Sequence, residues 1–456
     1  MNRIGQWIHR IQTTRDPGDT IALMSRCPSP NPIASVDAIH TIPTDRESDR
    51  EPGIGVLAGL GNNPHAGPIE ITGTWVIEHD DPDPIGRIDQ LVDASRPAHP
   101  STTSGWLMLL GYELGGAIEP KALRDSKNKP THLDTSKDFP LVVLQRWRAK
   151  TPEKFNTQSN SGEYEIGSIR SSMGREAYIQ AVERAQRFIG AGDIYQANIA
   201  HHLVGSFSGR AIRVFDDLIQ CADPKFGAMM IFEHRGVRHA VGSISPELFL
   251  SYDSATNQIA TEPMKGTRPG GGDHAELRDS VKDRAELDMI TDLMRNDLGR
   301  ICTLGSVRVK DPRSIESHQS GVIQASSRIE GQLRSGVGLG EIIRAAFPPG
   351  SVTGAPKVRA MQIINELERC PRGPYCGSML LLDDSGAIRA SVLIRTTHIW
   401  GEIDPEVSDG IINGRFSYPA GAGVVADSNS EAEWAETLVK AAILEKALGI
   451  DLDAVG

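Results

Sequence analysis

From Ser171 to its end, the chain interleaves stretches of helical periodicity with short apolar runs, and that alternation narrows the folds open to it. Apolar spacing of three and four predicts helices over Met173 to Ile189, Ala211 to Leu218, Ala275 to Leu298 and Ala360 to Leu367, and from near Glu431 onward. Between them, Ile199 to Phe207, Met229 to Phe232, Ala240 to Ile259 and ASVLIRTTHIW read as strands. GDIYQAN reads as a helix exit and GAGVVAD as a Gly-rich turn. Long helices mixed with antiparallel-looking strands favour an α+β or layered α/β architecture.

Upstream the pattern is sparser. ITGTWVI and FPLVVLQRW read as strands, GWLMLLGYELGGAIEP as a strand or strand pair leading into a turn, Thr151 to Gly162 as a polar loop or insertion, and Ile4, Trp7, Ile8 and Ile11 as one packing face of a helix. Ser25 to Arg96 is rich in Pro, Gly and acid, and outside its short apolar strands gives no readable fold. The expected organisation is a scaffold portion over residues 1–165 and a chemistry-bearing portion over 166–456.

With 456 residues the chain can bury a large core, and a formal net charge of -11 disfavours diffuse binding to nucleic acid or anionic membrane. A small cationic pocket for an anionic metabolite remains compatible with that balance. No run approaches a membrane span, and MNRIGQWIHRIQTT lacks a signal peptide's apolar core, so the expected location is cytoplasmic. The five cysteines form no CxxC pair, which points to reduced thiols and away from structural zinc.

Lys265, in IATEPMKGTR, follows an apolar segment and stands between Met264 and a glycine. A free lysine amine, with a pKa of about 10.4, is a poor nucleophile unless burial or a neighbouring cation lowers that value. The plainer alternative is a surface charge in a Pro/Gly turn. Two predicted helices carry acid: Asp279, Asp283 and Glu286 on one, opposite an apolar stripe of Val281, Ala285, Met289 and Leu293, and Glu433 and Glu436 on the other, with Lys440 four residues on. Such faces are either solvated or, taken together, oxygen donors for Mg²⁺. Two anion clamps are conceivable as well. One is the helix start in FPPGSVTGAPKVRAMQIINEL, aided by Lys357 or Arg359; the other joins Arg395 to the main chain of Gly421, Ala422 and Gly423. A helix cap and an ordinary turn are the bland alternatives.

GDIYQAN, ISPELF, EPMKGTR, KDRAELDMITDLMRNDLGRIC, FPPGSVTGAPKVRAMQIINEL, RGPYCGSM, VLIRT and GAGVVADSNSEAEWAETLVKA follow one another from Gly192 through Ala441. In that order they resemble the signatures of chorismate-using enzymes, most strongly aminodeoxychorismate synthase component I and next anthranilate synthase component I. The resemblance implies a single large α+β body with two packed, largely antiparallel sheets flanked by helices. It implies Mg²⁺ held by Glu286 and Glu436 with Asp283 and Glu433 nearby, and substrate contacts from Tyr375, Arg395, Gly421, Ala422, Gly423, Lys440 and Thr353 or Gly354. Gln196 stands where related water-adding enzymes carry a basic lysine, which shifts the expected nucleophile to ammonia, and Lys265 matches a nucleophilic lysine. The implied product is 4-amino-4-deoxychorismate, with ammonia delivered by a separate glutamine amidotransferase subunit, since no cysteine here has an amidotransferase context. Anthranilate formation, another chorismate reaction and a noncatalytic chorismate-binding homologue remain alternatives.

Two departures from the family pattern stand out. A family histidine corresponds here to Ile323 or Gln324, with His318 upstream as a substitute for its volume, and Glu262 replaces an arginine, placing a carboxylate close to Lys265.

Overall fold

The computed structural model describes residues 54–56, 69–97, 99, 101–123, 139–149, 164–222, 224–269, 277, 280–318, 322–407, 410–452 and 455. The expectations for Ile4 to Ile11, for Asp279 and for Thr151 to Gly162 fall outside the described residues.

Two sheets, one of nine strands and one of ten, organise the chain. The first has the strand Gln196–Arg210 as its spine, paired antiparallel with Gly410–Val424 from Arg210↔Gly410 to Ala197↔Val424. Most of the spine strand is buried, which explains its nearly unbroken apolar and small-residue sequence. The sheet continues through Thr396–Ile403, Val237–Ser245 and Phe226–His234. The second sheet contains Met264–Pro269, Val322–Gln332, Gln258–Glu262, Leu248–Asp253, Ile388–Val392 and Ser378–Asp383. Its far side is built from Ser104–Leu110, Val142–Ala149 and Ile69–Ile77, and every strand pairing with a described register is antiparallel.

Side chains from both sheets meet in one apolar layer: Leu107, Leu109 and Val143 from the second, Met230, Phe232 and Val241 from the first. Helices cover the outer faces. Ala211–Ala222 packs its strongly amphipathic face on the first sheet, while Pro84–Ala94 and Leu339–Ala346 join the core of the second. The N-terminal strands are therefore integral members of the sheets, and Ile54–Val56 itself pairs with Phe226–His234.

Three local readings need correction. ASVLIRTTHIW is two strands, because the chain leaves the second sheet at Val392 and joins the first at Thr396. Its continuous apolarity hides the crossing, since both halves are buried, and Arg395 at the crossing has a φ of 50°. Gly421 to Val424 belong to a strand, and the turn begins only at Val425. On the helix Val281–Gly299, Ala285 is exposed and the buried face runs through Asp283, Leu287, Ile290, Met294 and Leu298. A strict four-residue spacing drifts by about 40° per step around a helix, so the expected stripe spirals off the true contact face.

Candidate active site

The two sheets, their crossing and two helices enclose a cavity of about 190 Å³. Lys265, Asp283, Glu286, Tyr375, Arg395, Gly421, Gly423, Glu433, Glu436 and Lys440 all line it. Gln196, Thr353, Gly354 and Ala422 do not. Thr353 is buried behind the wall, its hydroxyl donating to the carbonyls of Pro349 and Gly350, while Gly354 pairs with Ala197.

Gln196 reaches the site across a glycine. An ideal Cβ at Gly423 would lie 2.5 Å from Gln196 Nε2 and 3.2 Å from Lys265 Nζ, so amide and amine converge on one point that only glycine leaves open. Gln196 is 1 % exposed, and among the described residues its Oε1 has no hydrogen-bond partner. At Gly421 the same test meets Asn198 Nδ2 and Tyr375 Oη, each at 2.9 Å.

The strand carrying these glycines is paired with Thr396–Ile403 only as far as Ser417. From Tyr418 to Val424 that edge has no strand neighbour among the described residues, and it faces the cavity. The N–H and C=O of one residue point to the same edge, so the Gly421 and Gly423 N–H groups share the edge at which the Gly421 carbonyl accepts from Lys440 Nζ at 2.8 Å. Lys440 also pairs with Glu436 at 2.7 Å. These two bonds leave one ammonium proton for a ligand. Arg395 offers its planar fork from the crossing, its pKa pulled below the ordinary value by burial against the opposing influence of Tyr418.

The helix Val281–Gly299 starts at Ser280, whose hydroxyl accepts from the Asp283 N–H, and this cap sets Asp283 and Glu286 one turn apart on the cavity side. Asn429 caps Ser430–Ala441 in the same manner, presenting Glu433 and Glu436. Among the described residues no group of three or more His, Cys, Asp or Glu lies close enough to hold a metal ion alone. Magnesium commonly takes one or two carboxylates and completes its shell with water and substrate oxygens, and four hard-oxygen side chains on two helices fit that demand.

Burial lowers the Lys265 pKa, with Lys440 adding to the effect and Glu286, Glu247 and Glu436 opposing it. Glu247 was not among the expected site residues. It lines the cavity, is 3 % exposed, accepts a short hydrogen bond from Ser351 Oγ, and is pushed up to about 7 by burial, partly offset by Ser351 and Lys265. A single carboxylate inside the apolar run ISPELFL was the signal available in the sequence. Asn198, Ser351, Ile394 and Tyr418 are further wall residues that carried no such signal.

Glu262 is turned away from Lys265. It binds Lys225 at 2.8 Å and Arg328 at 3.3 Å; burial alone would raise its pKa, and these two cations bring it below the ordinary value. Gln324 lines the cavity, whereas Ile323 packs with Leu277 and Leu287. The side chain of His318 lies outside the described residues. The clamp imagined at Lys357 and Arg359 does not form, because Lys357 is held by Asp297 at 2.7 Å and the Ala346 carbonyl at 2.8 Å, while Arg359 pairs with Asp193. Both cations serve packing between elements.

In sequence comparison, residues 70–446 match the family described as chorismate binding enzyme, and the chain belongs to it. Among curated relatives it is 34% identical over 385 residues to "Aminodeoxychorismate synthase component 1" of Escherichia coli, covering 78% of this chain and 81% of that protein. The Salmonella typhimurium protein of the same description is 37% identical over 389 residues, with the same coverage of 78% and 81%. "Anthranilate synthase component 1 1" of Haloarcula marismortui is 36% identical over 302 residues, or 64% of this chain and 58% of that one. The fold is shared with anthranilate synthase component I from Streptococcus pneumoniae at a TM-score of 0.64 and 19% identity, covering 89% of this chain and 94% of that structure. Among the described residues no helix is long and apolar enough to cross a membrane.

Proposed function

We propose that the chain converts chorismate and ammonia to 4-amino-4-deoxychorismate, with Lys265 as covalent nucleophile. The observation that carries this reading is the convergence of the Lys265 amine and the Gln196 amide at Gly423, in the wall of a cavity that Lys265, Gly423, Arg395 and Glu247 line. Chorismate carries two carboxylates. Arg395 and the open N–H edge at Gly421 and Gly423 suit one of them. Asp283, Glu286, Glu433 and Glu436 would hold Mg²⁺ for the other, where the bound ion supplies Lewis acidity against charge developing as the ring hydroxyl leaves.

Lys265, with its pKa lowered, attacks ring C2 while the C4 hydroxyl departs, taking the proton that Glu247 keeps up to about pH 7. Ammonia then adds at C4 and the lysine is expelled, so the enolpyruvyl group stays on the ring. Gln196 lacks the basicity to activate water, and its unpartnered Oε1 is suited to accept a hydrogen bond from ammonia. The ammonia source would be a separate glutamine amidotransferase subunit, in keeping with the "component 1" wording of the relatives, and the site of action the cytoplasm.

Anthranilate formation is the second reading, favoured by the Haloarcula marismortui relative. Incubating the purified chain with chorismate, Mg²⁺ and ammonium, followed by mass spectrometry, separates the two. A product retaining the enolpyruvyl group is expected. Fluorescent anthranilate with pyruvate would select the second reading, and unconsumed chorismate would overturn both.

A further inference from the structure

We propose that Arg372 is a positioning residue that holds separate strips of the cavity wall in register from behind, through a buried ion pair with Glu368. The side chains of this pair are 1% and 4% exposed, and neither residue lines the main cavity. The guanidinium donates to Glu368 at 2.9 Å and 2.5 Å, to the Val352 carbonyl at 2.8 Å and to the Asn198 carbonyl at 2.6 Å. Its carbon lies 5.7 Å from the ring centre of Tyr375 and 4.7 Å from that of Tyr112. Val352, Asn198 and Tyr375 come from three different segments, and each forms part of the cavity wall.

Glu368 extends the connection. Its Oε1 also accepts from the Ala200 N–H at 2.9 Å, on the same strand as Asn198. Glu113 fixes the arginine's own backbone, accepting from the N–H groups of Arg372 and Gly373 at 2.9 Å and 3.0 Å. The fork thus occupies two carbonyls whose residues face the substrate side, in a place where unpaired carbonyls would be costly. A lysine, a single donor centre on a flexible stem, cannot bridge both carbonyls while keeping two bonds to Glu368.

The inference rests on the cavity being the chorismate site. Contacts made equally to bound substrate and transition state act on KM more than on kcat, which gives the test its form. Arg372→Met alone strands the Glu368 charge and is expected to unfold the chain, so the informative variants are Arg372→Lys and the double change Glu368→Leu with Arg372→Met, which removes both charges together. Both are expected to keep the native circular dichroism and a cooperative melt. Each should raise the chorismate Kd, measured by calorimetry, and KM at least about tenfold, with kcat within about threefold of native.

A folded double variant with native Kd and KM would overturn the proposal, as would a loss of kcat and melting temperature with KM unchanged. Arg395→Ala is the control. If it weakens chorismate binding while the double variant does not, positioning by Arg372 fails alone. If neither changes binding, the reading of the cavity fails.

Discussion

Glu247 and Lys265 face one small volume, and the proposed attack requires both to be neutral, which the lowered lysine and the raised glutamate make attainable near neutral pH. As interacting groups they titrate as a pair, and a bell-shaped dependence of kcat/KM on pH is expected, with the limb set by Glu247 close to pH 7. Glu247→Gln should lower kcat by about 10²–10⁴-fold and remove that limb. Stability moves the other way. The carboxyl ionises near 4.5 when unfolded and only about 7 when folded, so the native chain loses stability as pH rises between those values. In urea unfolding, Glu247→Gln should match the native chain at pH 4 and exceed it at pH 8 by up to about 3 kcal/mol. Lys265→Ala should abolish the covalent intermediate, seen as loss of the mass adduct, and retention of product formation would remove the lysine from the mechanism. Glu262 shows why such chemistry is only partly legible in a sequence. Beside Lys265 in the chain it reads as a threat to the neutral amine, yet Lys225 and Arg328, both distant in sequence, draw it aside.

At the scale of elements, helical periodicity placed Met173 to Ile189 close to the observed Arg175–Gly190, because that helix packs one clean face. It also found Val281–Gly299, where Met289 and Leu293 pack against the core as expected, but it missed that the buried face includes Asp283, a residue type that hydrophobic spacing counts as solvated. The crossing at Arg395 and the open edge beyond Ser417 were illegible for another reason: both depend on which sheet a segment joins, and that is decided by partners far along the chain. The edge makes a sharp prediction. Gly423→Ala would bring a methyl to 2.5 Å from Gln196 Nε2 and 3.2 Å from Lys265 Nζ. Displacing either group should cost about 100-fold in kcat/KM, with a melting temperature close to native. The two acidic helices make another. Glu286→Gln or Glu436→Gln should raise the Mg²⁺ concentration needed for half-maximal turnover and weaken Mg²⁺ binding by calorimetry, and unchanged metal dependence in both would contradict the assigned carboxylates.

Across the whole molecule, described strands from before and after residue 165 share sheets. Ser378–Asp383 pairs with Ser104–Leu110 on one side and Ile388–Val392 on the other, so sequence halves and structural layers do not coincide. Met230, fully buried in the layer between the sheets, tests the union. Met230→Ala should cost about 2–5 kcal/mol and lower the melting of both sheets together, read by hydrogen exchange at Leu107 and at Val241. Separate transitions for the two probes would mean the layers are independent.

The cavity wall begins at Asn198 and is completed by Lys440, and its crossing residue Arg395 belongs to neither sheet. During synthesis, then, Lys265 and Glu247 are made well before the helix that bears Glu433, Glu436 and Lys440. Lys265 therefore meets the charges of Glu436 and Lys440 only when the last segment docks, and if it is the proposed nucleophile, a chain ended before that helix would carry it without those partners.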